Sequence, residues 1–229
     1  MSTVTQRVSP LVQGDFLTRD EFLRRWKLSE RIKRAELIGR VVYMPSPVSQ
    51  EHGDTDHLVG VWLAHYEAAT PGCRGSDNAT WLMSDDDAPQ PDKSLRILRE
   101  YGGQSRREGG YAAGAPEFLA ETCLSSTAYD LHQKFDLYEE AGVREYLAVL
   151  MQERQVRWHQ LVNGRFQIVP TPEDGIYRSV AFPGLWLDAA ALLAGDLDRV
   201  LAILQDGLKS PEHKQFVEQL RTRALEARG

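Results

Sequence analysis

The sequence predicts an α/β fold in which a mixed central sheet has helices on both sides and is followed by a helical extension. Apolar runs of strand length alternate with longer segments whose apolar residues recur every three or four positions, which is the spacing of an amphipathic helix. The run FLAETCL, at 118–124, is apolar on both faces, as a strand in the middle of an α/β sheet is. These two observations define the fold class.

Length and composition are those of one large domain or of a domain with an appended piece. The chain has 229 residues, of which 42% are hydrophobic, enough for a full core. No apolar run is long enough to span a membrane, and no signal-peptide pattern opens the chain. Cys73 and Cys123 form neither a metal-type pair nor a disulfide framework, so we expect a reducing cytoplasm. The net charge of −6 argues against broad electrostatic binding of nucleic acid, although a local basic patch can still bind it.

In the first half of the chain, residues 1–14 are polar and are predicted to be flexible. A capping box, Thr18 with Glu21, marks the first helix, and strand-forming residues flank a turn at Gly39-Arg40. The predicted elements are a helix over 15–27, two strands within 36–43 that end before Pro45 and Pro47, a helix over 51–70, a short strand over 81–83, and a strand that opens at 91–92 and continues to 98.

In the second half, residues 99–114 are rich in Gly, Arg and Gln and are predicted to be a mobile loop. Gly142 ends a helix, and Asn163-Gly164 is a strong hairpin turn. The predicted elements are the central strand at 118–124, a helix over 127–141, strands over 145–150, 155–161 and 165–169, an extended piece over 177–182, and two or three helices over 189–228.

Glu121 is the first candidate functional residue because it lies in the middle of the apolar run. A buried carboxylate without a partner costs several kcal/mol, so such a strand tolerates it when it is paired or holds a metal. Asp92 follows a proline where a strand begins, and there a side chain can project into a cleft. Its alternative interpretation is a turn or capping carboxylate. Together they suggest metal-dependent cleavage of phosphodiesters.

Lys134 lies on or beside the apolar stripe of the helix that follows the central strand. The helix runs back against the strand, which can bring the ammonium group toward Glu121. Alternatively, Lys134 extends to solvent and pairs with Asp130 one turn earlier. Glu36 stands between Arg34 and Arg40, so a surface ion pair is its simplest explanation, and first-turn packing or capping is the plain account of His52.

Other chemistries have little support in the sequence. There is no phosphate-binding GxxxxGK[ST] loop, no GxGxxG, no HExxH, no zinc-type histidine spacing and no GxSxG motif. The polar segment and the strand before it contain arginines that could contact phosphates locally, although the segment could equally be a disordered polar loop. These arginines are Arg96, Arg99, Arg106 and Arg107.

At these residues the chain resembles the Uma-type restriction-endonuclease family of the PD-(D/E)xK nuclease superfamily. The matching blocks, from about residue 15 to residue 193, are EFL, AELIGRVVYMPSP, EHG, PD, AETCLSST, KFDLYEEAGVREYLAV and PGLWLD. The resemblance implies a restriction-endonuclease-like domain over 15–193, with a helical extension over 194–229.

The resemblance also implies a site. Asp92 and Glu121 would hold Mg²⁺, for which Mn²⁺ can substitute, Lys134 would orient or activate the attacking water, and Glu36 becomes an extra ligand or base. Cys123 stands where the family's ExK lysine is expected, so this interpretation depends on Lys134.

The function expected from the resemblance is Mg²⁺-dependent endonucleolytic hydrolysis of DNA, with a homodimer by analogy to nucleases that cut both strands. The alternative is a degenerate nuclease-fold module that binds nucleic acid or protein without cleaving. A third hypothesis makes the C-terminal helices a surface for docking another protein.

Overall fold

The structure is a computed structural model that describes residues 9–44, 49–124 and 129–227, without the side chains of residues 129–131. The helices are α1 (Arg19–Leu28), α2 (Gln50–Ala69), α3 (Tyr129–Ala141), α4 (Ala189–Ala194), α5 (Leu197–Leu208) and α6 (Pro211–Glu226), with a 3₁₀ turn at Arg99–Tyr101. The strands are β1 (Glu36–Ile38), β2 (Val41–Tyr43), β3 (Cys73–Asp77), β4 (Trp81–Leu82), β5 (Lys93–Ile97), β6 (Arg106–Glu108), β7 (Tyr111–Ala113), β8 (Phe118–Cys123), β9 (Glu145–Leu150), β10 (Gln155–Val162), β11 (Arg165–Ile168), β12 (Ile176–Arg178) and β13 (Trp186–Asp188).

The central sheet has six strands in the order β11-β10-β9-β8-β5-β3. Strands β8 and β9 are parallel, and every other neighbouring pair in this sheet is antiparallel. This confirms the predicted mixed sheet, with the run at 118–124 near its middle. The edge strand β3 was not predicted, because its sequence CRGSD lacks the apolar alternation of a half-buried strand.

Helices cover both faces of this sheet. Alternation along β8 points Phe118 and Ala120 toward a core that contains α2, α5 and α6, whereas Leu119 and Glu121 point toward α3. The first core is closed by aromatic edge-to-face contacts, such as that of Trp62 with Phe118 at 5.9 Å between ring centroids. The predicted arrangement of a mixed sheet between helices is therefore correct.

The predicted mobile loop over 99–114 is wrong. The segment contains the 3₁₀ turn and the hairpin β6-β7, and β7 adds in parallel to β4 to form a three-stranded sheet. Gly109 and Gly110, with φ of 57° and 94°, make the tight turn that only glycine adopts at little cost. Strands of three residues with polar sequences carry no periodic signal, so pairing with β4, rather than local pattern, defines them.

Several boundaries differ from the predicted ones by a few residues. The first helix begins at Arg19 instead of residue 15, since Thr18 accepts a hydrogen bond from the Glu21 amide (3.4 Å) and Phe16 bridges to Val41. The turn at Gly39-Arg40 is present, with φ of 55° and 68°. Three predicted features lie outside the described residues: the proline stops at 45 and 47, the start of the third helix at 127, and residues 1–8 of the segment that the sequence predicts to be flexible.

The C-terminal helices pack on the main core. Val200 and Leu204 of α5 and Phe216 and Leu220 of α6 are buried in the same cluster as Trp62 of α2. The division at residues 193 and 194 stays a prediction. In the part of the chain that the structure describes, no helix is both long enough and apolar enough to cross a membrane.

Candidate active site

Three carboxylates and one ammonium group meet on the α3 side of the central sheet. Lys134 Nζ lies 3.0 Å from Glu36 Oε1 and 3.1 Å from Glu121 Oε1. Asp92 joins them: its amide donates to Glu121 Oε2 (3.4 Å), and its own Oδ2 accepts from the Thr122 amide (2.9 Å). The structure thus brings together the four residues that the sequence analysis singled out.

Strand pairing explains how Asp92 reaches Glu121. Lys93 of β5 lies opposite Ala120 of β8 in an antiparallel register. The residue before Lys93 therefore lies opposite the residue after Ala120. Directly opposite side chains in an antiparallel pair are close neighbours on one face. Asp92, which immediately precedes β5, is therefore beside Glu121.

Glu36 and Lys134 come from elements that flank this strand pair. Glu36 begins β1, which is tied to the segment before β5 by Leu37 and Ala88; the Ala88 amide donates to the Leu37 carbonyl at 2.7 Å. The amide of Gln90 then donates to Glu36 Oε1 at 2.6 Å. Lys134 projects from α3, which lies over the face of β8 that carries Glu121.

Tyr138 is a site residue that sequence reasoning missed. Its hydroxyl donates to Glu121 Oε1 at 2.6 Å, the same oxygen that Lys134 contacts, and the tyrosine is fully buried. In the sequence, Tyr138 belongs to the apolar stripe of the helix after the central strand, which by itself indicates only core packing. Its spacing of one helical turn from Lys134 was a usable signal, since residues at i and i+4 share a helix face.

Burial and mutual repulsion make the carboxylates of this site hard to ionise. Burial is the main reason why the pKa values of Glu36 and Asp92 are raised, and it raises the pKa of Glu121 to about 7, with the Asp92 charge adding to the effect. Burial opposes the charge of Lys134, but the three carboxylates outweigh it and raise its pKa. Lys134 is therefore an ammonium group at neutral pH.

Two other buried glutamates show what a structural carboxylate looks like in this fold. Glu117 accepts from the amides of Ile97 (2.8 Å) and Gln104 (2.9 Å), which fixes the start of the segment after β5. Glu145 accepts from the Val180 amide (3.0 Å) and from the indole N–H of Trp158 (3.3 Å). Neutral donors surround both, whereas Glu121 shares its pocket with two more carboxylates.

The alternative explanations of these residues can be compared with their contacts. Among the described residues, Lys134 forms ion pairs with Glu36 and Glu121. The side chain of Asp130 is outside the part of the chain that the structure describes. Arg40 pairs with Asp86 (3.7 Å) and not with Glu36. The His52 amide donates to the Ser49 hydroxyl (3.2 Å) in the first turn of α2, which agrees with the capping interpretation.

The four arginines proposed for phosphate contacts do not form one group. Arg96 of β5 and Arg107 of β6 are close enough to repel each other, and this repulsion, after burial, lowers the pKa of Arg96. Arg106 points to the other side of β6, where it pairs with Glu108 (2.7 Å). Arg99 lies on the exposed 3₁₀ turn.

With this geometry in place, comparison with known proteins is informative. The chain matches the model of the Uma2 family, described as "Putative restriction endonuclease", over residues 19–190. The chain belongs to this family. The match includes Glu36, Asp92, Glu121 and Lys134, and membership of Uma2 supports a nuclease. No curated protein matches the chain.

A solved structure supports the Uma2 fold. The crystal structure of a nuclease from Anabaena variabilis ATCC 29413, titled as putative and as belonging to DUF820, is similar with a TM-score of 0.55. It is 18% identical in sequence, and the alignment covers 77% of this chain and 99% of that one. At this identity the likeness establishes the fold alone.

The Uma2 site does not have a complete set of metal ligands in its present arrangement. Among the described side chains, no group of three or more His, Cys, Asp or Glu residues is placed to hold a metal ion. The ammonium group of Lys134 lies between Glu36 and Glu121 and contacts both. Asp92 and Glu121 remain as a pair of neighbouring carboxylates.

Proposed function

We propose that this Uma2 protein is a Mg²⁺-dependent endonuclease that hydrolyses phosphodiester bonds in DNA. One observation carries the proposal: the ionised forms of Glu36, Asp92 and Glu121 share the single ammonium group of Lys134, which leaves two uncompensated negative charges in a buried pocket. Buried charge without compensation is strongly unfavourable. A divalent cation would neutralise the pocket.

The donor set fits magnesium. Mg²⁺ prefers oxygen ligands and is usually held by one or two carboxylates, several waters and substrate phosphates, so two protein ligands suffice. Asp92 and Glu121 would hold the ion. When bound, Mg²⁺, or Mn²⁺ in its place, would lower the pKa of a coordinated water and neutralise charge that develops on the scissile phosphate.

The other two residues would act on the attacking water. Lys134, kept charged by its carboxylate neighbours, orients the water and stabilises negative charge on the phosphate oxygens. Glu36 accepts the proton that the water loses. The water oxygen then bonds to phosphorus as the bond from phosphorus to the leaving oxygen breaks, and solvent protonates that leaving oxygen.

A plasmid-cleavage assay tests the proposal. The wild-type protein with Mg²⁺ or Mn²⁺ should convert supercoiled plasmid to nicked and linear forms, and EDTA should stop it. Asp92→Asn and Glu121→Gln should each reduce the rate by at least ~100-fold, because each removes one charged metal ligand, and even the groups that support a ligand contribute ~10–100-fold. Plasmid binding without cleavage under every metal condition would instead favour the degenerate binding module.

Relocating the lysine tests its role separately. Cys123 is two residues from Glu121 on β8, so its side chain projects from the same face of the strand. Lys134→Ala should abolish cleavage, and adding Cys123→Lys to that variant should restore part of it. If the double variant folds and binds metal but the added lysine gives no recovery, an ammonium group at this face is not sufficient and the assigned role is wrong.

We further propose that the active form is a homodimer, by analogy with nucleases that dimerise to cut both strands of a duplex. Light scattering of the purified protein, with and without duplex DNA, measures this directly. A monomer in both conditions that still linearises plasmid would contradict the dimer.

A further inference from the structure

We propose that Arg74, Arg96 and Arg107 form an anion site that holds a backbone phosphate of the nucleic acid near the scissile phosphodiester. This inference rests on the proposed function and extends it, because it defines where the substrate backbone leaves the catalytic centre. It also adds Arg74, which the sequence gave no reason to select.

Strand pairing places two of these arginines side by side. Arg74 of β3 and Arg96 of β5 are directly opposite partners in the antiparallel pair β3-β5. Opposite residues share one face of the sheet. Like charges at such positions are destabilising unless something compensates them, and within the described residues a carboxylate pairs with only one of the two, Arg74 with Glu67.

The three-stranded sheet β4-β7-β6 places Arg107 beside Arg96. Trp81 of β4 and Arg107 of β6 both lie opposite Ala112 of the strand between them, so the three form one row on one face. The guanidinium carbon of Arg96 lies 5.9 Å from the centre of the Trp81 ring, which gives a cation–π contact and holds Arg96 over this row. Arg107 is therefore a neighbour of Arg96 although they belong to different sheets.

The charges of this cluster are only partly neutralised within the described part of the chain. Arg74, with 59% of its side chain exposed, pairs with Glu67 (3.1 Å) at the sheet edge. The ion pairs among the described residues include none to Arg96 or Arg107. Glu117 and Glu100 act on Arg96 only through space, and Glu117 already accepts two backbone amides. Three guanidinium groups thus face one close carboxylate.

The arginine cluster lies on the same face of the sheet as Asp92, at a distance from it that a bound duplex can span. Asp92, Ser94 and Arg96 are alternate residues and point to the same side of the sheet. Four residues of strand span about 13 Å at ~3.3 Å per residue. This is about four base-pair steps of B-DNA, at ~3.4 Å each. A duplex with its scissile phosphate at Asp92 can therefore place another phosphate at the arginines.

Phosphate is the anion that suits these groups. The planar guanidinium fork binds phosphate oxygens through two parallel hydrogen bonds, and it keeps its charge at every physiological pH. Contacts of this kind fix the position of a nucleic acid without reading its sequence. The cluster would therefore set the register of the backbone across the active centre.

The test is the salt dependence of nucleic-acid binding, measured by fluorescence anisotropy in EDTA so that no cleavage occurs. Duplex DNA and duplex RNA of the same sequence serve as probes. Arg74→Gln, Arg96→Gln and Arg107→Gln are compared with Arg221→Gln, a matched charge change at an exposed arginine of α6 that pairs with Glu218. Thermal unfolding checks each variant, and Arg107 is exposed, so its replacement leaves the fold intact.

The logarithm of the association constant falls linearly with the logarithm of the salt concentration. Each replacement in the cluster should make this slope less steep by about 1, whereas Arg221→Gln should leave it unchanged. Slopes equal to the wild-type value in all three variants would overturn the inference, and so would equal losses in all four. Absence of wild-type binding to both duplexes would overturn it as well. Cleavage and metal binding by Asp92 and Glu121 are measured separately, so the proposed function can survive the failure of this site.

Discussion

At the scale of single residues, the charged neighbours of Glu121, and not its burial, distinguish it from the other buried glutamates. Glu117 and Glu145 are equally buried, but they accept hydrogen bonds from amides and other neutral donors and act as structural anchors. Glu121 instead lies with Asp92, Glu36 and the ammonium group of Lys134. A glutamate in an apolar run therefore predicts a need for partners, and only the identity of those partners separates an anchor from a metal ligand.

The first prediction concerns Tyr138, which we expect to position Glu121. Tyr138→Phe removes the hydroxyl that donates to Glu121 Oε1 and changes little else in volume. Because groups that orient a metal ligand typically contribute 10–100-fold to metal affinity, Mn²⁺ affinity should fall by at least ~10-fold. Calorimetry measures this change, and urea unfolding measures any loss of stability.

A control for this prediction is Tyr43→Phe, which removes a hydrogen bond to Gln133 of the same helix without touching Glu121. It should leave the metal affinity within about a factor of two, since it changes no group in contact with a ligand. Equal effects of the two substitutions would show that helix packing, and not the hydroxyl at Glu121, controls the affinity.

The second prediction is a pH dependence of stability in the metal-free protein. The folded state raises the pKa of Glu121 from an ordinary value of 4.5 to about 7, chiefly through burial. The folded state therefore binds this proton more tightly than the unfolded state does. The stabilisation is complete below about pH 4.5 and is lost as the pH rises through about 7. The loss is at most about 3.5 kcal/mol, since each pKa unit corresponds to ~1.4 kcal/mol.

Urea unfolding between pH 4.5 and 7.5 measures this loss. Glu121→Gln should reduce the decline, while Glu36 and Asp92, whose pKa values are also raised, should keep part of it. Mn²⁺ should reverse the trend, because metal binding competes with the proton and grows stronger as the pH rises. A wild-type stability that increases steadily from pH 4.5 to 7.5 without metal would contradict this assignment.

At the scale of elements, the sequence was informative where a periodic pattern is long. The helix over 51–70 and the strands over 118–124 and 145–150 were predicted within a residue or two, because their apolar patterns extend over several positions. Strand β3 and the hairpin β6-β7 were missed because they are short and polar and depend on pairing with distant strands. The arginine cluster is built from these same strands, so its convergence could not be predicted.

The third prediction uses two helical glycines to test how closely the C-terminal helices pack. A Cβ at Gly207 of α5 would lie 2.3 Å from the Gly184 carbonyl oxygen and 2.8 Å from the Trp186 ring, so the backbone would have to move. Gly207→Ala should therefore destabilise the fold by about 2 kcal/mol or more. A Cβ at Gly53 of α2 would meet nothing within 4 Å, so Gly53→Ala should stabilise the protein by up to ~1 kcal/mol.

Urea unfolding of both variants provides the comparison. The opposite signs follow from geometry, because both residues are helical and both receive the same methyl group. If Gly207→Ala is neutral, α5 is not packed against the segment at 184–186 as described. An independent C-terminal extension would then be the better interpretation.

At the scale of the whole molecule, one core supports the active centre and the C-terminal helices. Residues of α2, α5 and α6 fill one face of the sheet, and the carboxylates and Lys134 occupy the other. The net charge of the chain is −6, which repels nucleic acid. A nuclease with this charge needs positive charge that is concentrated locally, where the substrate binds. Under the proposals above, the cluster of Arg74, Arg96 and Arg107, on the same side of the sheet as Asp92, would supply such a concentration.

The residue pattern singled out Asp92, Glu121 and Lys134, the resemblance added Glu36, and the structure gives their geometry. Asp92 and Glu121 were named from a proline–aspartate step and a glutamate in an apolar run, and β5-β8 pairing brings them together. Glu36 looked like a surface residue because its partners, Lys134 and Gln90, are distant in sequence. Such contacts leave no local signal, and the catalytic roles of these residues stay a proposal.

Isothermal titration calorimetry with Mn²⁺ measures whether Asp92 and Glu121 form a metal site. The proteins compared are the wild type, Asp92→Asn, Glu121→Gln and a control, Glu139→Gln, which carries the same charge change at a carboxylate of α3 that pairs with Arg165 and accepts from the Phe166 amide. We expect the wild type and the control to bind Mn²⁺, with protons released on binding, and both site variants to lose binding. Equal binding by all four proteins, or none by the wild type with a DNA duplex present, would contradict a metal site at Asp92 and Glu121.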